Sequence, residues 1–147
     1  MCLKSYSSQH QKKCIRGASL IEILVTVLIV SVGLLGVAGM QVTGLRNNQN
    51  AYFRTQASFL AYTMLDRMQA NQVAARAGSY DIDLTDTHTA VTTIAEQDLT
   101  NWKNELSSTL PSGQGAVSYA ASTQEVNITV SWDERSQTTT FVLENIL

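Results

Sequence analysis

Residues 12–45 read KKCIRGASLIEILVTVLIVSVGLLGVAGMQVTGL, and this stretch decides how the rest of the chain is organised. Three basic residues precede Gly17, a single acid follows at Glu22, and residues 23–45 carry no charge at all. An uncharged apolar run longer than the roughly 20 residues an α-helix needs to cross a bilayer core reads as a membrane span. The 147-residue chain has a net charge of −2, but its apolar content is so uneven that the average describes no part of it.

Lys4, Lys12, Lys13 and Arg16 precede the span, whereas only Arg46 and then Arg54 follow it. That bias holds the N-terminus in the cytoplasm and sends the C-terminal part outward. An ordinary secretory signal is the competing reading. It fits poorly, because the apolar run exceeds the usual h-region of about 7–15 residues and no small-x-small cleavage site closes it. Both cysteines, Cys2 and Cys14, fall in the basic leader, where a reducing compartment disfavours a disulfide. With only His10 nearby they lack the paired ligands of a zinc site.

Glu22 stands out within this segment. A carboxylate well inside hydrocarbon costs on the order of 3 kcal/mol on insertion scales, so an intramembrane acid marks a functional position with a partner to be named. The competing reading places Glu22 only a turn inside the span, snorkelling to the headgroups.

The order of parts in KKCIRGASLIEILVTVLIVSVGLLG resembles the class III signal of type IV pilins and pseudopilins: a short basic leader, a glycine, then an apolar helix with one glutamate. The resemblance implies that a prepilin peptidase cuts between Gly17 and Ala18 and that the new amine on Ala18 is methylated. Ala18 stands where many family members carry phenylalanine. Glu22 becomes the fifth mature residue, one helical turn from the Ala18 amine at i, i+4. That amine, or its equivalent on a neighbouring subunit, is the partner the resemblance implies for Glu22, in a medium where attraction is strong and desolvation offsets much of it. Losing four of the ten basic residues leaves six against twelve acids, a mature side-chain charge of −6.

Past the span the chain stays helix-friendly to about Arg76. Phe53, Ala57, Leu60, Met64 and Met68 recur near the spacing of one helical face, while Arg54, Gln56, Asp66, Arg67, Gln69 and Asn71 lie opposite or at the margins. One helix from residue 18 to 76 would be nearly 90 Å long at about 1.5 Å per residue. Gly33, Gly36, Gly39 and Gly44 each weaken it by roughly 1 kcal/mol relative to alanine. They invite either bending or close approach of a second helix. Met64 and Met68 beside Leu60 read as core.

Residues 78–93 turn to Thr, Asp, Gly and Ser, an irregular loop with a short strand expected near residues 80–84. Asp81, Asp83 and Asp86 lack the remaining positions of an EF-hand loop and do not read as a metal site. Thr93 and Glu96 form a capping box, with Leu99, Trp102 and Leu106 following on one face of a helix to about Ser108. The LPSGQG stretch at 110–115 reads as a turn. Three strands are then expected from period-two alternation: Val117 and Tyr119; Val126, Ile128, Val130 and Trp132; Phe141 and Leu143, with turns at 122–124 and 133–136. An antiparallel meander packed on the apolar face of the long helix gives an α+β class.

The YTMLDRMQAN stretch at 62–71, DLTNWKNEL at 98–106, LPSGQG and VNITVSWDE at 126–134 are similar to the minor pilin PilV family. The resemblance implies a pilin-like layout: leader 1–17, transmembrane half-helix 18–45, amphipathic half-helix 46–77 and exported head 78–147. It implies a low-abundance subunit that initiates or caps a type IV pilus and supports twitching motility, adhesion or DNA uptake. Its partners would be the prepilin peptidase, other minor and major pilins and the inner-membrane assembly platform. The chain would sit in a bacterial inner membrane, single-pass, until assembly carries it to the pilus and cell surface. No enzymatic role is expected, since the exported part holds only His88, no cysteine and no paired carboxylates on a rigid element. No cofactor is implied. Direct nucleic-acid binding is not expected of an acidic chain without a basic stripe. A minor pseudopilin of a type II secretion system, an adhesin at a filament tip, and a membrane-anchored monomer are the competing functions.

Overall fold

Fifty-one residues without a proline form helix α1, Leu20–Ala70. The structure, a computed structural model, describes residues 17, 19–86, 91–135 and 137–147. The basic leader, Ala18 and His88 lie outside the described residues. Two compact units divide the chain at residues 43 and 44. The first contains the apolar stretch of α1; the second contains the end of α1 and everything after it.

In the first unit no residue from Leu20 to Thr43 is buried. The hydroxyls there are satisfied locally: Thr26 Oγ1 donates to the Ile23 carbonyl at 2.8 Å, Ser31 Oγ to Val27 at 2.6 Å and Thr43 Oγ1 to Gly39 at 3.0 Å. Thus these three hydroxyls add little to the cost of an apolar surrounding.

The second unit is an α+β domain. Ala57, Leu60, Ala61, Met64, Leu65 and Met68 of α1 are buried, with Phe53 partly so, which is the helical face expected from their spacing. The continuous helix expected to about Arg76 is interrupted. At Asn71 the backbone leaves helical angles, φ −121° and ψ 50°, and a short helix α2, Gln72–Arg76, follows. Asn71 N–H is shared between the carbonyls of Arg67 and Met68, at 3.1 and 3.2 Å, and its Nδ2 donates to the Tyr80 hydroxyl at 3.2 Å. An amide side chain able to bond outside the helix makes this a natural ending.

Helix α3, Ile94–Thr109, starts at the capping box read from the sequence: Thr93 Oγ1 accepts from Glu96 N–H, and the Glu96 carboxylate accepts from Thr93 N–H at 2.9 Å. The Thr92 N–H and hydroxyl add two more donors, at 2.8 and 2.7 Å. Leu99, Trp102 and Leu106 are buried. Trp102 is completely buried, and its Nε1 donates to the Leu60 carbonyl at 2.9 Å. One indole therefore fills the core and joins α3 to α1.

Strands β1, Gln114–Ala120, β2, Glu125–Glu134, and β3, Gln137–Ile146, form an antiparallel sheet in the order β1-β2-β3. Opposing pairs are Val117 with Ile128, Val130 with Phe141, and Ile128 with Leu143. The turn expected at 133–136 is shorter than the sequence suggested, because β2 runs on through Asp133 to Glu134, whereas the one expected at 122–124 spans 121–124. Glu134 pairs with Gln137 of β3, and Arg135 takes φ 55°. Likewise Gln114 and Gly115, read as part of a turn, belong to β1. The strand expected near 80–84 is a single bridge between Ile82 and Val117.

The glycines of LPSGQG matter for closeness more than for turning. Ser112 takes the positive φ, 51°, while a Cβ on Gly113 would collide with the Leu106 carbonyl. One on Gly115 would collide with the Trp102 ring. Gly115→Ala should therefore destabilise the domain by about 1–3 kcal/mol through overpacking, read as a lower urea midpoint at unchanged slope; an unchanged midpoint would refute the contact. The second prediction concerns acid. Three hydrogen bonds, the Thr92 hydroxyl first and then the Thr92 and Thr93 N–H groups, hold the Glu96 carboxyl at about 2, well below its ordinary 4.5. A carboxyl depressed on folding stabilises above its unfolded value, and that contribution disappears as pH falls through the folded one. Stability followed by circular dichroism should drop between about pH 4.5 and 2, and Glu96→Gln should flatten that part of the profile.

Candidate functional site

The site expected from the sequence lies at the start of α1. The Ser19 carbonyl accepts from the N–H groups of Glu22 and Ile23, at 3.0 and 3.2 Å, and so begins the helix. Glu22 stands in the first turn, where the positive end of the helix dipole favours an acid. Its side chain is exposed, and among the described residues no donor reaches the carboxylate. Gly17 is described and exposed. Ala18, the other half of the expected cleavage pair and the expected methylation site, lies outside the described residues, as do the leader lysines, Arg16 and both cysteines.

What surrounds Glu22 along the helix is apolar and uncovered. Sixteen large hydrophobic side chains between Leu20 and Leu45 are exposed, Leu35 and Met40 by about three quarters. Mean hydropathy reaches 2.7, and none of that stretch is buried. The helix is long and apolar enough to cross a membrane. Fully burying one such side chain is worth roughly 1.5–3 kcal/mol, so sixteen together outweigh by far the roughly 3 kcal/mol cost of one carboxylate in hydrocarbon. Removal of this surface from water is therefore favourable with Glu22 carried along.

Gly33, Gly36, Gly39 and Gly44 have open space where a Cβ would stand. Nothing among the described residues requires their smallness.

Several polar side chains of the second unit turn out to be structural. Tyr80 is buried and donates to Asp98 Oδ2 at 2.7 Å. Burial first, and that hydrogen bond second, push its hydroxyl up to about 12. Arg67 donates to both oxygens of Glu105, at 2.9 and 3.2 Å, and to the Asp98 carbonyl at 3.1 Å. Lys103 Nζ holds the carbonyls of Asp83 and Leu84, at 2.7 and 2.9 Å, and burial lowers its ammonium below the usual value. Asp81 is a strand substitute: its Oδ1 accepts from Tyr119 N–H at 2.8 Å beside the Ile82–Val117 bridge.

A second cluster was not foreseen. A cavity of about 540 Å³ opens between α1 and the β2–β3 reversal, lined by Arg46, Asn50 and Phe53 on one side and Asp133, Glu134 and Arg135 on the other. About ninety residues separate its two walls in the sequence, so no local motif announced it. No protein-family model, curated protein or solved structure matches the chain.

Proposed function

We propose that this chain is a subunit of a type IV pilus-like filament: a minor, low-abundance pilin that initiates or caps assembly and supports twitching motility, adhesion or DNA uptake. The observation that carries the reading is the pairing of an uncovered apolar helix with one acid a turn from its start. An apolar surface this large needs lipid before assembly and other helices after it. A filament core of stacked α1 helices supplies the second, and the open glycine positions support close helix approach there.

Glu22 gives such stacking a register. Cleavage after Gly17 on the cytoplasmic side frees the Ala18 amine, which is then methylated and remains a cation. A subunit entering the filament brings its amine to the Glu22 of a neighbour, and an acid that lacks a partner is neutralised. Removing one partner of such a desolvated pair leaves the other uncompensated, which is the costly outcome. The α+β unit forms the exported head, and the prepilin peptidase, other minor and major pilins and the inner-membrane assembly platform are the partners. The chain sits in the inner membrane with a cytoplasmic N-terminus before assembly and on the cell surface afterwards.

Intact-mass measurement of the protein recovered from membranes should show a chain beginning at Ala18 and carrying one added methyl group; a functional protein that retains residues 1–17 refutes the reading. Glu22→Ala should insert into the membrane normally yet enter sheared filaments at least about tenfold less, the effect of about 1.4 kcal/mol. Loss of twitching on deletion, with protein secretion intact, would separate a pilus from a secretion machine.

A further inference from the structure

Four charged side chains converge on the cavity beside residues 46–53, two cationic, Arg46 and Arg135, and two anionic, Asp133 and Glu134. They do not neutralise one another: Arg67 with Glu105 is the ion pair within 4 Å among the described residues, and it lies elsewhere. Glu134 Oε2 is shielded from solvent and has no hydrogen-bond partner among the described residues. A shielded carboxylate oxygen without a donor is stabilised once a cation or donor reaches it, so this position selects for one. Arg135 adds a second sign. It occupies the left-handed region at φ 55°, where Asn or Gly is favoured, and its Nη2 lies 3.4 Å from Asn47 Oδ1, on the α1 side of the gap.

The cavity volume, about 540 Å³, falls in the range of small-molecule sites and far exceeds the roughly 30 Å³ share of one water. A ligand that fits has an anion for two arginines and a hydrogen-bonding cation for two carboxylates, close together on one small group. Phosphoethanolamine has that chemistry, with a phosphate and a primary ammonium separated by two methylenes. Phe53, partly buried, supplies an apolar wall.

We infer that this cavity binds a phosphoethanolamine group, the phosphate between Arg46 and Arg135 and the ammonium against Glu134 and Asp133, and that its source is a phosphatidylethanolamine headgroup of the membrane. The source follows from position in the chain. Arg46 is the first ionisable residue after Glu22 and ends the uncharged run, so in a membrane-spanning helix it marks the boundary where headgroups lie. This assignment of source rests on the spanning helix proposed above; the chemistry of the cavity does not. Before assembly the bound lipid would hold the hairpin against the membrane surface, and extraction into a filament would require its release.

The test uses the full chain in a non-ionic detergent, titrated with short-chain phosphatidylethanolamine, phosphatidylglycerol, phosphatidylcholine and soluble phosphoethanolamine, with bound molecules counted by native mass spectrometry. One equivalent of phosphatidylethanolamine should bind at least about tenfold more tightly than the glycerol lipid, which lacks the cation, or the choline lipid, which cannot donate. Glu134→Gln and Arg135→Asn should each weaken it by about tenfold, the asparagine keeping the turn geometry. Arg46→Gln, on the helix, provides an independent variant should a hairpin change disturb folding. Equal binding of the three lipids, or wild-type binding by all three variants, overturns the site. Soluble phosphoethanolamine binding as tightly as the lipid overturns the bilayer source. A cellular protein that keeps its leader would sink the filament reading and leave these binding results standing.

Discussion

An apolar helix that the described residues leave bare is the constraint behind everything else in this protein. Sixteen large side chains from Leu20 to Leu45 face outward, and no described residue covers them. The favourable free energy of taking them out of water is far larger than the penalty of carrying Glu22 with them. The helix is long and apolar enough to cross a membrane, and an apolar surrounding is favourable for it. Its hydroxyls already bond to its own carbonyls, which leaves Glu22 as the ionisable group of that stretch whose needs no described residue meets.

The head solves a different problem. Residues 17–147 contain no cysteine, so a small domain has to hold together by packing alone. Trp102 does much of this. Its ring is completely enclosed, its nitrogen is satisfied by a helix carbonyl at Leu60, and β1 can come close only because residue 115 has no side chain. Around it, Tyr80, Arg67, Lys103 and Asp81 tie loop to helix, helix to helix and loop to strand. These groups resemble candidate chemistry when met singly in a sequence; in the folded chain each is occupied by a structural bond.

Asn127 Oδ1, Trp132 Nε1 and Glu134 Oε2 are shielded without a partner among the described residues, and function is argued at the acid of these three and at Glu22. Glu22 has no donor within the described chain, and Glu134 has a shielded oxygen in the same condition. Unsatisfied acids are expensive in apolar or enclosed surroundings, and they point to partners outside the chain. For Glu22 the proposed partner is the amine of an assembling neighbour; for Glu134 it is the ammonium of a small zwitterion held with the help of two arginines.

The apolar run, the acid at residue 22, the buried face from Ala57 to Met68, the Thr93–Glu96 cap and the alternating strands were all legible from the residues, because each depends on spacing within a short window. The break at Asn71 was not, since it depends on a hydroxyl nine residues away. The closeness demanded of Gly113 and Gly115 was hidden for a similar reason: only packing brings Leu106 and Trp102 against them. The cavity was least legible of all. Residues 46–53 and 133–135 meet because β2 continues through Glu134, which brings it and Arg135 beside α1. By itself the sequence determined which segments avoid water and where the lone acid sits, because hydropathy and periodicity are local properties. Tertiary structure alone decided which polar groups are consumed by packing and which stay unpaired, because pairing depends on what the fold brings near.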